Sequence, residues 1–269
     1  MQENIQIQSE EQSNNSQSKE GKNKPKIIEI FTGSSIFRYF FSAMVVFAIC
    51  FICSLFSFQI ILTPVEVVGY SMLPTINESA QGSGNIYTDY VYVSPLKNVK
   101  RKDIVVIEGG KTSSGNIIIK RIIATPGDTI TFKNVGTKIM YTIPYFEVEI
   151  YLNDKKLTEN YTLEETTYIS QTLENNQYYS FHNQMVTALK SGIETQSHKP
   201  YEFTITLGKD EYFVMGDNRN NYNVTDEKRH GSVDSRMFGP IKKSEIIGKV
   251  ELQVKHGQNL LQAIWDRIF

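Results

Sequence analysis

A serine at position 71 follows Gly69-Tyr70 and precedes Met72-Leu73-Pro74-Thr75. A serine hydroxyl is a poor nucleophile until a neighbouring base takes its proton. Taken alone, a serine before Met-Leu-Pro is most often a turn or cap residue, so the question is which base could reach it. The chain carries His182, His198, His230 and His256, and none lies in a motif that would set it beside Ser71. Lys120 sits in the run Asn116-Ile117-Ile118-Ile119-Lys120-Arg121-Ile122-Ile123, which alternates poorly and reads as a largely buried strand. A lysine there must snorkel to water or lose its charge. Burial beside Ser71 would favour the neutral amine and lower a pKa that is about 10.4 in water. Bringing it to about 7 or 8 takes roughly 3–5 kcal/mol of differential solvation. In isolation, a lysine pointing outward from an edge strand fits the same run better.

Further polar segments punctuate the chain: Lys102-Asp103-Ile104-Val105-Val106, Pro126-Gly127-Asp128, Met215-Gly216-Asp217-Asn218-Arg219 and Gly231-Ser232-Val233-Asp234-Ser235-Arg236. The cysteines, Cys50 and Cys53, have half the spacing of a zinc or redox motif. They lie in an apolar run without a second pair or a histidine cluster, so they read as small apolar residues facing lipid or a helix.

These residues need elements to carry them. Residues 1–36 are read as a disordered cytoplasmic tail, rich in Gln, Asn, Ser and Lys and unable to bury enough apolar surface to offset ordering. Residues 37–62 are read as one transmembrane helix, because Tyr39 to Leu62 carries no charge and matches the roughly 20 residues that cross about 30 Å of hydrocarbon. Lys19, Lys22, Lys24, Lys26 and Arg38 precede this run, whereas Lys97 is the first Lys or Arg after it. The positive-inside rule then keeps the N-terminus in the cytoplasm and sends residues 63–269 outside. No small-x-small cleavage site follows, so the span is expected to stay as an anchor.

Beyond it, short β-branched and aromatic runs alternate with turn residues: Val65–Val68, Tyr90–Val93, Asp103–Ile107, Asn116–Ile123, Thr129–Phe132, Phe146–Leu152, Phe203–Leu207 and Glu211–Met215. The expected fold is mainly β, an antiparallel-sheet catalytic domain. Between about 133 and 200 the composition shifts to Tyr, Asn, Gln, Thr and Glu, which predicts an inserted subdomain or elaborated loop region.

In this order, behind one span, the segments resemble the type I signal peptidases, and most closely their Gram-positive members. The likeness runs from the anchor to about residue 249. It implies that Ser71, in Ser-Met-x-Pro-Thr, is the nucleophile and that Lys120, in the Lys-Arg pair, is the general base. Gly69 matches a position where some members carry an oxyanion-holding serine and others glycine, which leaves the Ser71 N–H as the main oxyanion donor. Ser232 matches a serine that hydrogen-bonds the lysine amine. Asp234 and Arg236 match a bracing ion pair that Arg121 is expected to join, and Asp217, Asn218 and Arg219 form a turn in the same wall. The chain departs from the family between these last segments, where Tyr222 to Gly231 intervene. Such a polar insert reads as an exposed loop. His230 lies within it.

The resemblance implies a membrane-bound serine endopeptidase of the plasma membrane. It would remove signal peptides from exported preproteins near the translocon, cutting after small residues of the Ala-x-Ala type, with no metal or organic cofactor. Ile60, Ile61, Val65, Val67 and Met72 are candidates to line shallow substrate pockets or to touch membrane lipid. A formal net charge of −1 argues against a nucleic-acid partner. Self-cleaving Ser–Lys regulators share the chemistry, but the span and its topology argue against them. The alternative outside enzymology is a catalytically inactive, membrane-anchored β-rich binding or scaffold protein.

Overall fold

The computed structural model describes residues 35–78, 88–95, 98–109, 116–140, 142–163, 166–172, 179–190, 201–219 and 232–269, without the side chains at 36 and 55–61. The tail expected over residues 1–36 falls almost wholly outside the described residues, as do His198, His230 and the Tyr222–Gly231 insert. Two compact units divide the chain, residues 1–58 and 59–269.

The first unit is carried by helix α1, Ser35–Ile61, 27 residues and so about 40 Å long. Its stretch Phe37–Ser54 is long and apolar enough to cross a membrane. Phe40, Phe47 and Phe51 are exposed on it, a surface that suits lipid better than water. Cys50 and Cys53 are exposed on the same helix.

The second unit is antiparallel β. Strands β1 (Thr63–Val67), β2 (Asp89–Ser94), β3 (Ile104–Ile107), β4 (Ile118–Ala124), β10 (Glu211–Met215), β11 (Ile241–Lys242) and β12 (Ile246–Val254) form a seven-stranded sheet in the order β1-β2-β12-β3-β4-β10-β11. Each expected run before residue 125 and the Glu211–Met215 run falls in this sheet. β4 lies inside it, between β3 and β10, so Lys120 to Ala124 are buried on both faces rather than alternating.

The second sheet joins β5 (Thr129–Met140), β6 (Ile143–Leu152), β7 (Lys155–Lys156) and β9 (Glu202–Thr206) in the order β7-β6-β5-β9, with β8 (Thr167–Ser170) added on β6. Helix α2, Ser180–Lys190, turns Met185, Val186 and Leu189 inward. The stretch expected as an insertion supplies most of this sheet; Tyr145 and Tyr168 form a small cluster of its own with Met140 and Ile143, while its main core is shared. Ile130, Phe132, Phe146, Val148 and Ile150 form one cluster with Ile123, Ala124, Phe213 and Met215 of the first sheet. Burying each such large side chain contributes about 1.5–3 kcal/mol, so the sheets stabilise each other. Helix α3, Ser235–Phe238, and helix α4, Leu260–Ile268, complete the unit.

Candidate active site

Ser71 sits in a tight turn just past β1, and the turn is held from below. The Asn77 side-chain amide donates to Val67 O and Gly69 O, at 2.9 Å each. Asn77 and Asp89 then exchange backbone-to-side-chain hydrogen bonds of 2.8 and 2.7 Å, which ties the end of the turn to the start of β2. Gly69 has φ +112°, a backbone region that L side chains rarely adopt. On the far side, the Asn218 N–H donates to Ser71 O (3.1 Å) and the Asn218 amide to Tyr70 O (3.2 Å).

β4 presents Lys120 to this turn. Its register opposite Val105 places it well inside the sheet, and it is 3% exposed. Lys120 Nζ lies 2.8 Å from Ser71 Oγ and donates to Ile119 O at 2.7 Å. Burial lowers the pKa of this amine from its ordinary 10.5 to about 8, although the charges of Asp234 and Asp217 pull it upward while Arg236 adds to the fall. A neutral amine within hydrogen-bond reach of a hydroxyl can accept its proton. Among the described residues the Ser71 N–H makes no hydrogen bond, so it can donate to a developing oxyanion.

Behind the pair stand three arginine–carboxylate bridges. Asp234 takes both prongs of Arg236, at 2.9 and 2.7 Å, caps α3 and accepts from the Gly216 N–H. Burial resists ionisation of Asp234, but the Arg236 guanidinium and these N–H donors hold its carboxyl below the usual range. Arg121 does not join this pair as expected. It turns to Asp217, at 2.8 and 2.5 Å, where Thr75 also donates, and its guanidinium lies 4.1 Å over the Tyr161 ring. The reason is reach: the Gly216–Arg219 turn brings Asp217 between Arg121 and the Ser71 loop. The third bridge, Arg219 with Glu159, had no signal in the sequence, because Glu159 lies in the stretch read as a separate insertion.

Ser232 Oγ is fully buried and has no hydrogen-bond partner among the described residues, so the expected bond to the lysine amine is not formed in this structure. It lies against Gly216 instead. A Cβ built on Gly216 would come within 2.3 Å of both Ser232 Oγ and Ser71 O, which is why glycine is required there. Of the histidines, His182 is buried in α2 with Nε2 3.1 Å from Thr172 O, and the His256 backbone N–H donates to Asp89.

A cavity of about 110 Å3 opens beside Ser71 and Lys120, lined by Val65, Val67 and Val68 on one side and by Ile117, Ile118 and Ile119 on the other. Of the residues expected to line substrate pockets, Val65 and Val67 line this cavity. Met72 does not: it is 1% exposed and packs in the core with Ile76, Val91, Val93 and Val106. The side chains of Ile60 and Ile61 lie outside the described residues.

Comparison with known proteins gives the family. Signal peptidase I V of Bacillus subtilis (strain 168) is 28% identical over 185 residues, 69% of this chain and 81% of that protein. Signal peptidase I P of Bacillus subtilis subsp. natto is 28% identical over 221 residues, 81% of this chain and 89% of its own length. Signal peptidase IB of Staphylococcus aureus (strain COL) is 28% identical over 218 residues, covering 81% and 88%. The model of the family described as signal peptidase, peptidase S26, matches residues 38–255, most of the chain, which therefore belongs to the signal peptidases.

Proposed function

We propose that the chain is a membrane-anchored serine endopeptidase that removes N-terminal signal peptides from exported preproteins by acyl transfer through Ser71 and Lys120. The observation that carries this reading is the 2.8 Å approach of a buried lysine amine, its pKa lowered to about 8, to the Ser71 hydroxyl. Neutral Lys120 takes the Ser71 proton as Oγ attacks the scissile carbonyl carbon. The Ser71 N–H then stabilises the oxyanion, and the resulting ammonium returns the proton to the leaving amine. A water, deprotonated in turn by Lys120, attacks the ester carbonyl, and Ser71 leaves with the proton.

Asp234, Arg236, Arg121 and Asp217 hold the wall in this reading, and Ser232 assists the amine once it is charged. The cavity is far smaller than the roughly 300–1,000 Å3 of pockets for drug-sized ligands, which favours small side chains at the cut. β1 is an edge strand, so an extended substrate can add to it by main-chain pairing.

α1 spans the plasma membrane with residues 63–269 outside. Anchoring confines enzyme and membrane-inserted leader to one surface, near the site of export, and raises their effective concentration. The test is cleavage of a preprotein by the purified full chain, with product mapped by mass spectrometry. Cleavage after a small residue that vanishes in Ser71→Ala and Lys120→Ala is expected. If Lys120→Ala cuts like the parent, the dyad is wrong.

A further inference from the structure

The last helix turns an apolar face away from the protein. α4 rests on β12 through Ala263, which is buried, and through Leu260 and Ile264, which are half-buried. Leu261, Trp265, Ile268 and Phe269 fall on another side of the helix and are 79%, 63%, 66% and 84% exposed. The Trp265 and Phe269 ring centroids lie 4.3 Å apart, so the two aromatics form one continuous apolar patch. Residues 256–269 lie beyond the segment matched by the signal peptidase family, so the shared catalytic fold does not account for this face.

Its direction indicates what covers it. Arg267 reaches back to within 3.8 Å of Glu251, so α4 runs antiparallel to β12, toward its Lys249 end. There Val250 pairs with Val93, and Val93 pairs with Thr63, the first residue of β1. The aromatic end of α4 therefore points to the end of the sheet at which the chain enters from α1.

We infer that the outer face of α4 lies in the headgroup layer of the bilayer that α1 crosses, as a second membrane contact. This rests on reading α1 as a span. Trp favours that depth, where its apolar ring meets lipid and its indole N–H stays wet, and Phe and Leu beside it add buried apolar area. An amphipathic segment too weak to bind alone is held there once the chain is already tethered. The contact fixes the catalytic unit against the surface on which its substrates lie.

Trp265 is the chain's single tryptophan, so its fluorescence reports this face alone. The full chain is reconstituted into phosphatidylcholine vesicles and into matched vesicles with brominated acyl chains. Loss of Trp265 emission in the brominated vesicles, with little quenching by aqueous acrylamide, is expected. Emission unaffected by bromine overturns the inference. That holds equally if acrylamide is excluded, since another protein then covers the face. Resistance to carbonate extraction reads the α1 span separately. A carbonate-resistant protein with unquenched Trp265 sinks the surface contact alone, whereas an extractable protein with quenched Trp265 sinks the span alone.

Discussion

Arg219 ends the Gly216–Arg219 turn and closes a two-pronged ion pair on Glu159, with the two side chains only 1% and 8% exposed. Arg219 also donates from Nε to Gly216 O at 2.9 Å, and the Leu163 N–H donates to Asp217 O. The segment around Glu159 thus braces the turn that holds the Ser71 backbone. Glu159→Ala leaves a buried guanidinium without its partner, which costs about 3–5 kcal/mol. Urea unfolding should read that loss, and Glu159→Gln, which keeps one acceptor, should recover part of it. A midpoint equal to the parent's would mean the pair carries no weight.

The lowered pKa of Lys120 fixes a pH dependence for catalysis. Only the neutral amine can take the Ser71 proton, so kcat/KM should rise about tenfold per unit below pH 8 and level off above it. A profile already flat from pH 6 would show that another group is the base.

The same amine lowers stability, and the sign can be checked. Its folded pKa of about 8 lies below the ordinary 10.5, so between these values the unfolded chain binds the extra proton. Stability therefore rises as pH goes from about 8 to 10.5, and below 8 the burial costs about 3 kcal/mol. Lys120→Met fills the same volume without that cost. It should be inactive yet more stable at pH 7, with the gain shrinking above pH 8. Denaturation curves at pH 7 and pH 10 measure both.

How much of this was legible in the sequence differs by element. Strands such as Ile104–Ile107 and Glu211–Met215 announce themselves because β-branched and aromatic runs end at turn residues. β12 carries a different signal, missing from the expected runs: Val250-Glu251-Leu252-Gln253-Val254 alternates apolar and polar, the pattern of a half-buried strand, and it pairs with β2 and β3 on both sides. α4 is also missing from the expected elements, although Leu260, Leu261, Ile264, Trp265 and Ile268 recur at helical spacing, because the run is only nine residues long. Within the site, the motifs indicated Ser71 and Lys120. Partnerships were not readable, because the choice of Asp217 rather than Asp234 by Arg121 depends on where a turn lands in space.

Gly216 tests how closely the wall is built. Any Cβ there meets Ser71 O and Ser232 Oγ at 2.3 Å, and Ser71 O is backbone that cannot swing aside. Gly216→Ala should therefore push the Ser71 turn away from Lys120. A displacement near 1 Å at a catalytic pair can cost about 100-fold in rate. kcat should fall by that order, while the fold, read by circular dichroism, survives.

Ser232 separates packing from chemistry. Its hydroxyl is buried with no partner among the described residues, and leaving such a group unpaired costs about 1–3 kcal/mol. Ser232→Ala should thus leave the stability equal to the parent's or raise it by about 1 kcal/mol. Catalysis should move the other way if the oxygen accepts from the Lys120 ammonium formed during attack. An acceptor of that kind favours the charged form, so its removal lowers the amine pKa further. kcat should drop with KM unchanged, and the midpoint of the pH–rate profile should shift below 8. A purely structural serine would leave both the midpoint and kcat where they were, and that result would assign Ser232 to packing against Gly216 alone.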